Sequence, residues 1–325
     1  MSLNSVENRK YKYAKFNERA GLCRHTPKTQ KGETPLKTYQ LVTDATSDLP
    51  LELVGKLDVH VIPMHCAIDG EDYLITSDNR NLSSHDFYEM LRAGKVSTTT
   101  QINGETFKDE VRPFLKQGLD VLYICFSSGL SSTYNSARIA VEDLREEFPG
   151  RKIVAIDSLS ATGGEGLLVY HAAKRAEAGM PFDELAKWIE DNKLHLAHWF
   201  TVDDLKFLKR GGRISSTAAL VGTVLSVKPV LHVDNEGKLI PIDKVRGRRK
   251  SLEELVAHME KSAIAPADQT VFISHGDTPE DAAYIEKLVR EKFGVKDVFT
   301  GPVGPVVGSH GGPGIICLFF LADKR

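Results

Sequence analysis

One histidine, His310, stands in a run of glycine and proline, Gly304-Pro305-Val306-Val307-Gly308-Ser309-His310-Gly311-Gly312-Pro313-Gly314, directly ahead of the apolar stretch Ile315-Ile316-Cys317-Leu318-Phe319-Phe320. The glycines leave backbone room on both sides of an imidazole that stands at the lip of a buried strand. Hydroxyl groups recur at Thr43-Asp44-Ala45-Thr46-Ser47, Ser97-Thr98-Thr99-Thr100-Gln101, Ser127-Ser128-Gly129-Leu130-Ser131-Ser132 and Asp157-Ser158-Leu159-Ser160. A serine cluster between a strand end and a helix start offers hydroxyls and unpaired backbone N–H groups to one small anion. Its plainer role is N-capping, and the threonine run reads equally well as an edge strand. Lys209, Arg210 and Arg213 surround a Gly211-Gly212 turn, and Lys244, Arg246, Arg248, Arg249 and Lys250 form a second basic cluster. An arginine fork suits a carboxylate or phosphate, although cations at a helix end and on a solvated face are common.

The elements that must position these groups alternate. "TYQLVTDA", "DVHVIPMHCAI", "LDVLYICF" and "KIVAIDS" read as strands, and "TYNSARIAVEDLREEF" and "EGLLVYHAAKRAEAG" as helices. Strands followed by helices predict a parallel sheet with helices on both faces. After the helix "FDELAKWIEDNKL" the rhythm changes. "HLAHWFTV", "GKLIPIDKV", "QTVFISHG", "KDVFTGPV" and "GIICLFFLA" read as strands, with helices at "DDLKFLKR" and "SLEELVAHMEKSA". The expected class is α/β: an N-terminal three-layer parallel-sheet domain over 38–193 plus a C-terminal two-layer α+β domain with a mixed sheet over 194–325. Residues 1–37, rich in Lys and Arg, are expected to be a flexible basic extension.

At 325 residues, 41% hydrophobic and 26% charged with a net charge of −2, the composition is that of a globular protein. That balance argues against nucleic acid as a partner and allows at most transient membrane contact. No apolar run reaches the roughly 18 residues of a membrane span, which predicts a cytoplasmic protein. Cys23, Cys66, Cys125 and Cys317 form no CxxC pair, and Cys125 and Cys317 sit in strand-like runs that suit reduced core thiols.

Eight segments in order, "VTDATSDLP", "STTTQIN", "SSGLSSTYNSA", "IDSLSATGGEGLLV", "FTVDDLKFLKRGGRIS", "VLSVKPVLHVDNEGKLIPIDKVRGRRKSL", "ISHGDTPEDA" and "GPVVGSHGGPG", resemble the DegV family of bacterial fatty-acid-binding proteins, from about residue 39 to the end. The resemblance implies two domains with a long-chain fatty acid in an apolar tunnel between them, and no cofactor. It implies a lipid-binding carrier subunit rather than an enzyme. The partner would be a fatty acid kinase, a dihydroxyacetone-kinase-like protein that phosphorylates the bound carboxylate with ATP. Carried over, the headgroup hydroxyls map to Thr99 and Thr100 before Gln101, and to Ser128 or, by preference, Ser131. The histidine is His310, able to carry a proton, and the cation is Arg210 or Arg213. The family's Thr-Ser-Gln is Thr-Thr-Gln here, and its Ser-Gly-Thr-Tyr is Ser131-Ser132-Thr133-Tyr134. Its Thr-His-Thr-Gly-Pro-Gly is Ser309-His310-Gly311-Gly312-Pro313-Gly314, which drops one hydroxyl at Gly311. The Arg246–Lys250 cluster is the expected docking patch for the kinase.

Two rival activities are compatible with the residue types. A hydrolase could use Ser131, His310 and Asp44 or Asp157, although there is no Gly-x-Ser-x-Gly elbow. A phosphotransferase acting on a small acidic substrate would need a nucleotide site, and "ATGGEG" lacks the Gly-Lys-Ser/Thr of a P-loop.

Overall fold

The structure is a computed structural model that describes residues 37–78, 80–215 and 226–325. The expected basic extension lies outside the described residues, except for Lys37. Strands β1 (Tyr39–Asp44), β2 (Val59–Ile62), β6 (Asp120–Cys125) and β7 (Ile153–Asp157) form an all-parallel sheet in the order β2-β1-β6-β7. Side chains alternate across it, as strand geometry demands. Leu41, Leu122 and Ile156 pack with α5 (Gly163–Glu177) and α6 (Phe182–Asn192) on one face. Val42, Val121, Tyr123 and Ile153 pack with α3 (Gly104–Lys116) and α4 (Thr133–Glu147) on the other. This is the expected three-layer arrangement.

The second sheet has the order β10-β9-β8-β13-β11-β12 and is mixed. Its strands are β8 (Leu196–Thr201), β9 (Val227–Val233), β10 (Leu239–Arg246), β11 (Thr270–His275), β12 (Asp297–Pro302) and β13 (Ile316–Leu321). Helices α8 (Arg248–Ser262) and α9 (Pro279–Phe293) cover one face through Leu252, Leu255, Met259, Ile285 and Val289. The other face meets α5: Phe200, Cys317 and Phe319 share a core with Leu167 and Leu168. Helix α5 is therefore sandwiched between the two sheets.

A third sheet departs from the expectation. "DVHVIPMHCAI" is not one strand: β2 ends at Ile62, Pro63 intervenes, and β3 (Met64–Ile68) leaves for an antiparallel sheet of order β4-β3-β5. Proline offers no N–H to a central ladder, so the chain changes sheets there. Strand β4 (Glu71–Ile75) completes one edge, and the threonine run forms the other as β5 (Ser97–Thr100). Strand β9, too, was not anticipated.

The β6–α4 loop touches the β9–β10 turn closely. Ser127 Oγ donates to Gly237 O at 2.8 Å, and a Cβ at Gly129 would lie 2.7 Å from Glu236 O and 2.8 Å from Gly237 O. Both obstacles are backbone. Gly129→Ala should therefore cost about 1–3 kcal/mol of stability by overpacking, measured by urea unfolding. An unchanged midpoint would show that the contact is not tight.

Candidate functional site

His310 sits on a short helix, α10 (Pro305–Gly311), despite the glycines around it. Pro305 suits its first turn, and Gly312 beyond its end has φ 76°, a conformation that glycine adopts freely. Helix α10 packs on β3 and β5. Ser309 Oγ donates to Pro305 O at 2.8 Å and lies 3.4 Å from Cys66 Sγ of β3. Gly308 has no side chain because Tyr88 Oη and Phe87 of α2 (Ser84–Arg92) would lie 2.6 and 2.8 Å from its Cβ. These contacts fix the helix against β5, where Thr99 Oγ1 lies 2.9 Å from His310 Nε2 across 211 residues of sequence. The other ring nitrogen, Nδ1, is buried without a hydrogen-bond partner among the described residues and faces Gly211, where a Cβ would sit 2.2 Å away. Burial, with the Arg213 and Arg210 guanidinium groups nearby, holds the imidazole down to about 4. The ring, read from the resemblance as able to carry a proton, is thus held in its neutral form at neutral pH.

Arg213 follows α7 (Lys206–Arg210) and turns inward, with Nε donating to Leu130 O at 3.1 Å. It is half-buried and has no acidic partner among the described residues. Arg210 does the opposite: it is exposed, with its guanidinium 4.9 Å above the Phe207 ring, and does not line the cavity. Of the two candidate cations, only Arg213 lines the cavity.

Ser131 lies in the loop that enters α4, one residue before the N-cap Ser132. Ser131 Oγ accepts from Thr133 N at 3.2 Å and lies 3.0 Å from Thr133 Oγ1. Ser128 donates its backbone N–H to Asp157 Oδ1 at 3.1 Å and leaves its hydroxyl exposed. Thr99, Thr100, Ser128, Ser131, Arg213 and His310 all line one cavity of about 560 Å³. Its remaining walls are largely apolar, with Phe200 on β8, Cys317 and Phe319 on β13, and Leu208 on α7. The volume falls within the roughly 300–1,000 Å³ usual for small-molecule sites.

No catalytic triad is assembled from the residues considered. His310 pairs with Thr99 and Ser131 with Thr133. Asp44 is buried against Tyr123 Oη at 2.7 Å, and Asp157 accepts from backbone N–H groups at Ser128 and Leu159. The hydrolase alternative therefore loses its geometry.

Thr46, from the first hydroxyl-rich stretch, also lines the cavity, as does Thr162, which was not singled out from sequence. Thr46 Oγ1 donates to Glu165 Oε2 at 3.0 Å and also binds Asp44. Burial pushes both carboxyls up, and hydrogen bonds only partly offset it. Thr162, at φ 47°, donates to Asp48 Oδ2 at 2.5 Å; Asp48 also accepts from Gly304 N–H, just ahead of α10. Burial pushes the Asp48 carboxyl up to about 7. Its pKa is thus higher in the folded chain than in the unfolded one, and the folded state holds the proton more tightly. The stability this provides is present below pH about 4 and is lost as pH rises from there through about 7. Asp48→Asn should flatten, but not abolish, the fall in stability between about pH 5 and about pH 8, because Asp44 and Glu165 shift in the same direction. Urea titrations at several pH values check this; an unchanged slope would refute it.

Comparison with known proteins settles the family. The family model described as "Uncharacterised protein, DegV family" matches residues 38–323. The chain belongs to the DegV family. A DegV domain-containing protein of Clostridium perfringens is 43% identical over 290 residues, covering 89% of this chain and 99% of that protein. The fold resembles the crystal structure of a DegV lipid-binding protein from Thermotoga maritima, with TM-score 0.78 at 27% identity over 89% of this chain and 99% of that one. It also resembles a DegV family protein from Thermus thermophilus described for its fatty acid binding, with TM-score 0.77 at 29% identity over 88% and 99%. In this DegV chain Cys66, Cys125 and Cys317 are free and buried, and no helix among the described residues is long and apolar enough to cross a membrane.

The second basic cluster divides. Arg248 is built into the fold: Nε donates to Asp281 Oδ2 at 2.9 Å and Nη2 to Gly314 O at 2.6 Å. Arg249 is 75% exposed in its side chain, stacked over Tyr284, and Lys244, Arg246 and Lys250 are also exposed. Arg248 is therefore withdrawn from the expected docking patch.

Proposed function

We propose that this DegV protein is a carrier that binds one long-chain fatty acid between its two domains, divided near residue 193, and does no chemistry on it. The carboxylate is received by Arg213, Thr99, Thr100 and the neutral His310, with Ser131 and Ser128 at the rim, while the tail enters the apolar slot along β8 and β13. The observation that carries this reading is Arg213: a half-buried cation without an acidic partner among the described residues, opening on a cavity whose other walls are hydrocarbon, hydroxyls, an amide and two imidazoles, with no carboxylate. A carboxylate supplies the counter-charge that such a guanidinium lacks, and acceptors beyond Leu130 O and Gly211 O. The printed descriptions of the Thermotoga and Thermus relatives, as lipid-binding and fatty-acid-binding proteins, support the ligand class.

A ligand so poorly soluble needs a recipient. We place this protein in the cytoplasm as the acyl-presenting partner of a dihydroxyacetone-kinase-like fatty acid kinase, docking through Lys244, Arg246, Arg249 and Lys250. Two measurements test the reading. Displacement of a fluorescent fatty acid should give one site per chain, and added kinase with ATP should form acyl phosphate from the loaded protein alone. Saturable binding of ATP or DNA to the isolated chain, with none of fatty acid, would replace the reading. Arg249→Glu combined with Lys250→Glu should lower kinase coupling at least fivefold while leaving fatty acid affinity unchanged; full coupling would move the docking surface elsewhere.

A further inference from the structure

The apolar part of the slot contains one anomaly, His198. It lies on β8 opposite Phe319 of β13, two residues before the Phe200–Cys317 pair and so farther from the strand ends that lead to Arg213 and His310. Its inward neighbours on the same strand, Leu196 and Phe200, are apolar. His198 is 1% exposed and lines the cavity, yet neither ring nitrogen has a hydrogen-bond partner among the described residues. The fold makes deliberate room for the ring. A Cβ at Gly164, in the first turn of α5, would sit 2.2 Å from His198 Cε1, and the Phe319 ring stands edge-on at 5.4 Å. Phenylalanine or leucine would fill such a position without an unpaired donor and acceptor. A buried polar group left unpaired is costly, and the cost disappears when a ligand supplies the partner.

We propose that His198 is a second polar anchor inside the slot, and that the preferred ligand is a long-chain fatty acid bearing one hydroxyl along its tail. A neutral imidazole presents a donor on one nitrogen and an acceptor on the other, and a hydroxyl pairs with whichever faces the slot because it does both. A keto oxygen, which only accepts, satisfies one tautomer alone. The inference rests on the fatty acid reading above and narrows its ligand class.

Competition binding with octadecanoate and a set of positional hydroxyoctadecanoates tests it, using wild type and His198→Phe. In wild type, one isomer should bind about tenfold more tightly than octadecanoate, the effect of one well-made hydrogen bond to a buried partner. In His198→Phe that order should reverse, with octadecanoate bound as well as before or better. His198→Leu replaces His198→Phe should the larger ring fail to fold, and the wild-type isomer series is decisive by itself. If octadecanoate binds and every hydroxylated isomer binds more weakly, His198 is not an anchor and this inference falls alone. If none of these acids binds, the fatty acid reading itself falls.

Discussion

Shortening the acyl chain from eighteen to twelve carbons should weaken binding by about three orders of magnitude. Six methylenes at about 0.8 kcal/mol each amount to about 5 kcal/mol, and every 1.4 kcal/mol is roughly tenfold in Kd. The whole effect requires every methylene to be buried, which is what the slot walled by Phe200, Leu208, Cys317 and Phe319 offers. The measurement is a displacement series over even chain lengths. Affinity should rise steeply with each pair of carbons and level off once the slot is full. A slope below about 0.2 kcal/mol per methylene, a quarter of the transfer value, would mean that the tail lies on the surface.

Arg213→Met should lower octadecanoate affinity by about 30- to 150-fold, or about 2–3 kcal/mol, the lower part of the range of about 2–5 kcal/mol for removing one partner of a desolvated, hydrogen-bonded charge pair. The side chain is half-buried and unopposed by any acid among the described residues, so its charge is not already compensated within the protein. The control is octadecan-1-ol. It has the same tail and no charge, so its affinity should change less than about threefold if Arg213 acts on the carboxylate. Losing the Arg213 hydrogen bonds to Leu130 O and Gly211 O also loosens the loop, an effect that would weaken acid and alcohol equally. Equal losses for both ligands would therefore make Arg213 a structural residue.

What could be read from the chain follows from the range of the forces involved. The α4 segment announces itself locally, through periodic Ala137, Ala140, Val141 and Leu144 and the hydroxyls at its start. The parallel sheet shows through strands apolar on both faces, because helices cover both sides. The third sheet was hidden because its separation from the first depends on one residue, Pro63, within an otherwise strand-like run. The meeting of Thr99 with His310 depends on contacts remote in sequence, among them Tyr88 with Gly308 and Ser309 with Cys66, and a glycine-rich segment gives no local sign of helix. The two arginines flanking the Gly-Gly turn, three positions apart, could not be separated from sequence, since the path of the turn decides which faces the cavity. Arg248 looked like surface charge because its partners, Asp281 and Gly314, come from distant segments. His198 did leave a local signal: it is the polar member of the inward alternation Leu196-His198-Phe200.

The most direct test is a crystal structure of the protein grown with octadecanoate. The account predicts one acid per chain, with carboxylate oxygens about 2.7–3.2 Å from Arg213 nitrogens and Thr99 Oγ1 or His310 Nε2 and the tail running between Phe200 and Phe319. A carboxylate pointing to solvent with the tail elsewhere, or protein crystallised with excess acid and holding none, would contradict it.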